Sequence, residues 1–83
     1  MQKPVRIYSL STCSHCKSAK RFFDERGVTY EFNDVDLLDT MEKATAIEEV
    51  KKLNPRLSFP TIIIGGRVIV GFRENEIREA LDQ

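Results

Sequence analysis

The chain is poor in cysteine and histidine, carries no excess charge and has no long apolar run. Its 83 residues include two cysteines and one histidine, and 13 basic residues balance 13 acidic ones. A neutral chain generates no long-range field to gather nucleic acid or an anionic membrane. The longest apolar run, residues 61–64, is far below the roughly 18 residues of a membrane span. We therefore expect neither a nucleic-acid nor a membrane partner.

The scarcity of cysteine also bears on the compartment. Small secreted scaffolds are disulfide-dense, and two cysteines are too few for one. The first ten residues, MQKPVRIYSL, lack the apolar core and cleavage site of a secretory signal. These features predict a cytoplasmic protein, in which a transient disulfide is more plausible than a structural one.

The patterning of the sequence predicts a single domain over residues 1–83, with no repeat or linker. Alternation predicts strands at 5–10, 28–32, 61–64 and 67–70, the last two joined by a Gly65-Gly66 turn. Helical spacing predicts a helix from near Cys13 to Arg26, a second after Asp39 or Thr40, and a third over 74–81. The second helix should bury Ala44, Ile47 and Val50 and end at Pro55. The order β-α-β-α-β-β-α predicts an α/β fold with a four-stranded mixed sheet flanked by helices.

The cysteine pair, Cys13 and Cys16, is predicted to lie where the first helix begins. Two buried apolar residues are one interpretation, but the polar flanks STCSHC favour an exposed junction, where Ser11 and Thr12 can cap the helix. A zinc site needs four ligands, and only His15 could join the pair. A redox centre fits better, because a helix N-terminus stabilises a thiolate and the two-residue spacing allows a disulfide. Cys13 would then be the attacking thiolate, and the less exposed Cys16 would resolve the mixed disulfide.

The first strand, the motif CSHC and the stretch FPTIIIGGRVIVGF together resemble the glutaredoxin family of the thioredoxin fold, over essentially the whole chain. The resemblance implies that Pro60 is a cis-proline that begins the third strand and packs beside the Cys13–Cys16 disulfide. It also implies that the peptide group at Phe59 pairs with the backbone of a bound thiol substrate.

Two departures from the family pattern concern glutathione. Members that use glutathione usually carry a basic residue where this chain has Leu10, and two glycines with a Ser/Asp pair where it keeps only Gly71. The following Phe72-Arg73 makes the stretch GFR similar to redoxins that serve ribonucleotide reductase and are recharged by thioredoxin reductase. Glutathione use is weakened rather than excluded, since Lys17 or Arg73 could still pair with a glutathione carboxylate.

A third departure lies between the cysteines, where the family commonly has Pro-Tyr and this chain has Ser14-His15. A protonated His15 would stabilise the reduced thiolate and raise the reduction potential. Members that lack the proline sometimes hold a 2Fe–2S cluster between two subunits with glutathione. Phe72 is equally compatible with a partner groove and with the core.

The resemblance and the residues together predict a monomeric thiol–disulfide oxidoreductase that reduces protein or glutathione mixed disulfides and contributes to electron transport and cell redox homeostasis. Its electron donor would be glutathione or thioredoxin reductase, with no metal and no tightly bound cofactor, and ribonucleotide reductase is a candidate substrate. The alternatives are a 2Fe–2S carrier and a non-catalytic interaction module. The predicted site has Cys13 and Cys16 as catalytic residues and, as substrate-binding residues, Thr12, Ser14, His15, Lys17, Phe59, Pro60, Gly71, Phe72 and Arg73.

Overall fold

The helices and strands follow the predicted order. A computed structural model describes residues 3–82, with strands β1 to β4 and helices α1 to α3. These elements are β1 (Val5–Ser9), α1 (Ser14–Glu25), β2 (Glu31–Asp34), α2 (Thr40–Leu53), β3 (Thr61–Ile64), β4 (Arg67–Val70) and α3 (Glu74–Asp82), with a 3₁₀ turn at Val35–Leu37 before α2. None of the helices within residues 3–82 combines the length and the apolar character that crossing a membrane requires.

The four strands form one mixed sheet in the order β2-β1-β3-β4. β1 runs parallel to β2, because α1 carries the chain back to the start of the sheet. β3 is antiparallel to both β1 and β4. The β3–β4 hairpin turns at Gly65-Gly66, where Gly65 takes a left-handed φ of 63°. The element order and the mixed sheet are those of the thioredoxin fold, as predicted.

Each face of the sheet carries its own apolar cluster. The larger cluster includes Ile7 of β1, Ile62 of β3, Phe23 of α1 and Ile77 of α3. The smaller cluster joins Tyr8 of β1 to the side of α2. The molecule is therefore layered, with α1 and α3 on one face of the sheet and α2 on the other, and β1 is buried on both faces.

The predicted second strand, residues 28–32, begins three residues and ends two residues too early, since β2 is Glu31–Asp34. The Val28 N–H donates to the Phe23 carbonyl at 2.9 Å, so the chain is still closing the end of α1 at that point. Val28 and Tyr30 pack against the edge of the larger cluster, which produces the alternation without a strand. The alternation at Val28 and Tyr30 therefore comes from a loop that packs against the larger cluster.

The predicted apolar stripe of α2 is partly wrong. Val50 is buried and Ile47 is half-buried, as predicted, but Ala44 is exposed and Ala46 is buried in its place. Positions 46 and 50 are one helical turn apart, so α2 contacts the sheet along a narrow strip. The start of α2 is as predicted, with the Asp39 carboxylate capping it.

Candidate active site

Cys13 is the N-cap residue of α1. Its backbone is extended (φ −82°, ψ 121°), and its Sγ accepts a hydrogen bond from the Cys16 N–H with an N···S distance of 3.2 Å. The expectation that Ser11 or Thr12 caps the helix is wrong, because the thiol of Cys13 occupies the acceptor position. A sulfur placed there faces the unpaired amides and the partial positive charge of the helix terminus. The cap and the candidate nucleophile are thus one side chain.

Cys16 lies one turn into α1 and is completely buried, whereas Cys13 is partly exposed. Burial raises the pKa of the Cys16 thiol, and its contact with Cys13 raises that pKa further. Only Cys13 is open to an incoming disulfide, so the two thiols differ in access as the sequence predicts.

The residues before β3 approach Cys13 from the other side. The Phe59–Pro60 peptide bond is cis, as the resemblance predicts. The Phe59 carbonyl oxygen lies 4.0 Å from the Cys13 Sγ. The Gly71 N–H donates to the Pro60 carbonyl at 2.8 Å, and Gly71 has a left-handed φ of 84°. Residues some 46 positions apart in the chain therefore meet at one sulfur.

A buried amide that the sequence analysis missed shapes the loop before Pro60. Asn54 caps the end of α2, and its side-chain N–H groups donate to the Ser58 carbonyl and hydroxyl and to the Thr61 hydroxyl at 3.0–3.3 Å. The Asn54 side-chain oxygen accepts from the Arg56 N–H. These bonds hold the loop that presents Phe59 to Cys13. The only sequence signal was an asparagine just before a proline.

A second unpredicted network lies at the carboxyl ends of β1 and β2. The Asp34 carboxylate accepts from the buried Ser9 hydroxyl at 2.5 Å and pairs with the Lys20 ammonium at 2.9 Å. Burial alone would raise the pKa of Asp34, but the hydrogen bonds from Ser9 and Lys20 bring that pKa below its ordinary value. Lys20 follows Cys16 by one helical turn, so this ion pair fixes α1 against the sheet beneath the cysteines.

A carboxylate also holds the loop that leads into Cys13. Asp36 accepts from both the backbone N–H and the hydroxyl of Ser11. These two bonds bring the pKa of Asp36 below its ordinary value. The Cys13 N–H donates to the Leu10 carbonyl at 3.1 Å, which closes the turn. The loop is thus fixed on both sides of Ser11.

Among residues 3–82, no hydrogen bond joins the side chain of any other predicted site residue to the Cys13 sulfur. Thr12, Ser14, His15 and Lys17 are exposed at the start of α1. Their roles, and those of Phe72 and Arg73, stay predictions.

Two of those residues are already engaged elsewhere. Phe72 packs edge-on against Phe22 of α1, with the ring centroids 5.9 Å apart. Arg73 donates to the Val70 carbonyl and lies 3.5 Å from the Glu76 carboxylate. Across residues 3–82, no three His, Cys, Asp or Glu side chains converge as a metal site would require.

A mixed β2-β1-β3-β4 sheet, a Cys-x-x-Cys at the start of α1 and a cis-proline opposite it define a redoxin of the thioredoxin fold. The comparisons with known proteins narrow the class. The family model for glutaredoxin matches residues 5–69. The chain belongs to the glutaredoxin family.

Three relatives show how closely the chain follows this family. An uncharacterized glutaredoxin-like 8.6 kDa protein in the rubredoxin operon of Clostridium pasteurianum is 33% identical over 79 residues, which are 95% of this chain and 99% of the relative. The crystal structure of methanoredoxin from Methanosarcina acetivorans is 45% identical, with a TM-score of 0.91 over 98% of this chain and 86% of that one. A glutaredoxin from Archaeoglobus fulgidus is 31% identical, with a TM-score of 0.91 over 98% and 88% of the two chains.

Proposed function

We propose that this glutaredoxin-family protein is a dithiol thiol–disulfide oxidoreductase that reduces protein or glutathione mixed disulfides in the cytoplasm. The observation that carries the proposal is the asymmetry of the pair. The Cys13 sulfur is partly exposed and accepts a hydrogen bond from the Cys16 N–H in the first turn of α1, while the Cys16 side chain is buried. A nucleophile needs access and a stabilised thiolate, and a resolving thiol needs proximity and protection from other disulfides.

The proposed reaction has two exchange steps. In the first, the Cys13 thiolate attacks one sulfur of the substrate disulfide, and the other sulfur leaves as a thiolate. In the second, the Cys16 thiol loses its proton to solvent or to the departing thiolate and attacks the Cys13 sulfur of the mixed disulfide, which breaks the bond between Cys13 and the substrate and releases the substrate sulfur as a thiolate. The substrate is reduced by two electrons, and the protein is left with a Cys13–Cys16 disulfide.

The backbone of Phe59 supports substrate positioning. Its carbonyl oxygen lies beside the Cys13 sulfur, and its amide N–H donates no hydrogen bond to another residue of the range 3–82. An extended segment carrying the reacting cysteine can pair with both groups, as a strand pairs with a sheet edge. Phe59 would thus hold the substrate sulfur in line with Cys13.

The protein must recover two electrons after each turnover. Glutathione and thioredoxin reductase are the two proposed donors, and the dithiol itself carries the electrons without a bound cofactor. His15 is exposed beside the pair, where a protonated imidazole would favour the reduced state. A disulfide of ribonucleotide reductase is a proposed protein substrate.

A coupled assay tests this function. The wild type should oxidise NADPH in the presence of a protein disulfide and either glutathione with glutathione reductase or thioredoxin reductase. Cys13→Ser should abolish turnover with both donors, because no other exposed thiol exists in the chain. Cys16→Ser should abolish turnover of protein disulfides and retain at most the reduction of glutathione mixed disulfides. Full turnover by Cys13→Ser would refute the proposal.

Two further measurements separate the alternatives. A 2Fe–2S carrier would become coloured and dimeric on anaerobic reconstitution with iron, sulfide and glutathione. A non-catalytic interaction module would keep its partner after Cys13→Ser. A colourless monomer whose partner capture depends on Cys13 would support the oxidoreductase instead.

A further inference from the structure

An apolar pocket opens beside the candidate nucleophile. Its volume is about 290 Å³, and its walls are the side chains of Leu10, Val35, Ile47, Leu57 and Phe59. This volume is near the lower end of the roughly 300–1,000 Å³ typical of small-molecule sites. The pocket is therefore of a size for an amino-acid side chain rather than for a cofactor.

Two walls of this pocket are tied directly to Cys13. Phe59 places its carbonyl oxygen 4.0 Å from the Cys13 sulfur, and the Leu10 carbonyl accepts the Cys13 N–H. A substrate whose sulfur meets Cys13 and whose backbone pairs with Phe59 therefore has its next residue over the pocket. Leu10 and Phe59 thus connect the wall of the pocket to the proposed exchange site.

The floor and far wall of the pocket are fixed in place. Val35 is 3% exposed. Leu57 has a left-handed φ of 53°, which is uncommon for a residue with a branched side chain. Its N–H donates to the Asn54 carbonyl at 2.9 Å, within the hydrogen-bonded loop that presents Phe59. The pocket exists before any substrate arrives, so filling it carries little ordering cost.

The rim of the pocket carries one available cation. Asp36 and Lys43 both line it, but the Asp36 carboxylate is occupied by Ser11. The Lys43 ammonium forms no salt bridge or side-chain hydrogen bond with another residue of the range 3–82, although its charge helps to lower the pKa of Asp36. An acidic group on a docked segment would therefore meet an ammonium that no carboxylate contacts directly.

We propose that this pocket selects peptide and protein disulfides in which an apolar residue flanks the reacting cysteine, with an acidic residue of the same segment facing Lys43. The inference rests on the proposed function and names its substrate class. Glutathione places a glycine and a γ-linked glutamate next to its cysteine, so it offers no apolar side chain to the pocket. The chain should then favour peptide disulfides over those of glutathione.

Matched substrates test the selection. The wild type is given mixed disulfides of two acidic peptides, one with leucine and one with glycine on both sides of the cysteine, and the small disulfide of 2-mercaptoethanol. Burial of one leucine side chain predicts a kcat/KM about 10-fold higher for the leucine peptide. Equal rates for the two peptides would overturn the inference while leaving the function intact. Failure to reduce any of the three disulfides would overturn the proposed function itself.

Variants on one helix provide the matched comparison, with the leucine-to-glycine ratio as the readout. Ile47→Thr removes apolar surface from the pocket and should lower the ratio by about threefold or more. Ile47→Leu should restore it. Met41→Thr changes an exposed residue of the same helix outside the pocket and should leave the ratio at the wild-type value. An unchanged ratio in Ile47→Thr, or an equal fall in Met41→Thr, would contradict the assignment.

The role of the Lys43 ammonium in substrate preference is tested separately. Lys43→Gln should reduce the preference for the acidic leucine peptide over a neutral leucine peptide, and added salt should reduce the same preference in the wild type. A preference that neither the variant nor salt changes would remove Lys43 from the proposal.

Discussion

The rate of the resolving step should keep rising with pH above the pH at which the rate of an ordinary thiol levels off. Cys16 is fully buried, and this burial, followed by the neighbouring Cys13, raises the pKa of its thiol from 9.0 to about 12. Burial is the larger cause, and it persists when Cys13 is tied up in a mixed disulfide. Since only the thiolate attacks, Cys16 should limit release of the second product at neutral pH.

The magnitude follows from the fraction of thiolate. Far below its pKa, a thiol gains about tenfold in thiolate for each pH unit, so the resolving rate should rise about 10³-fold from about pH 6 to about pH 9. For a freely exposed thiol with a pKa of about 8.5, the rate would level off near the upper end of that range.

Rapid mixing with a chromogenic aromatic disulfide separates the two steps. The first equivalent of coloured thiol reports attack by Cys13, and the second reports attack by Cys16. Cys16→Ser should release one equivalent only, which assigns the phases. A second-phase rate that levels off below about pH 9 would refute the argument from burial.

Three further predictions concern the stability of the fold around the active site. Asp34→Asn should lower the free energy of unfolding by about 1–2 kcal/mol at neutral pH, since it weakens the Ser9 and Lys20 bonds. The lowered pKa of Asp34 means that this stability is present above the ordinary value of 3.8 and lost as pH falls through the lower folded value. Denaturant titrations should therefore show the deficit at pH 7 and none well below pH 3.8, and a deficit independent of pH would contradict the assignment. Phe23→Ala, at a fully buried ring, should cost about 3–5 kcal/mol by the same titration, against about 1 kcal/mol for half-exposed Phe32→Ala; similar losses would refute the burial argument. Gly71→Ala should cost about 1 kcal/mol from its left-handed backbone alone, because nothing lies within 4 Å of the added carbon, and equal losses in Gly66→Ala, where φ is not left-handed, would argue against this cause.

The elements with the strongest local signals were predictable. β3 and β4 were predicted at their observed bounds, because a continuous apolar run, two turn glycines and a second short run leave little alternative. The family resemblance located the cis bond before Pro60, and the polar flanks and helical spacing located the cysteine pair at the start of α1. These features depend on neighbouring residues, or on a motif that the family shares.

What escaped prediction depends on contacts between distant segments. The bonds of Asp34 with Ser9 and of Asp36 with Ser11 each join residues 25 positions apart, and neither partner carries a local signal. The cap of α1 was assigned to Ser11 or Thr12 because hydroxyls are the commoner caps, yet the thiol of Cys13 took that position. The apolar pocket likewise exists only once β1, α2 and the loop before β3 have packed together.

Trapping of the mixed disulfide tests the central claim, that Cys13 is the nucleophile and Cys16 the resolving thiol. Reduced Cys16→Ser and Cys13→Ser are each mixed with a protein disulfide, quenched with acid and analysed by intact-mass spectrometry. A stable adduct should form on Cys13 in Cys16→Ser, and none should form in Cys13→Ser, whose remaining thiol is fully buried. Equal adduct formation by Cys13→Ser, or no adduct in Cys16→Ser, would contradict this claim.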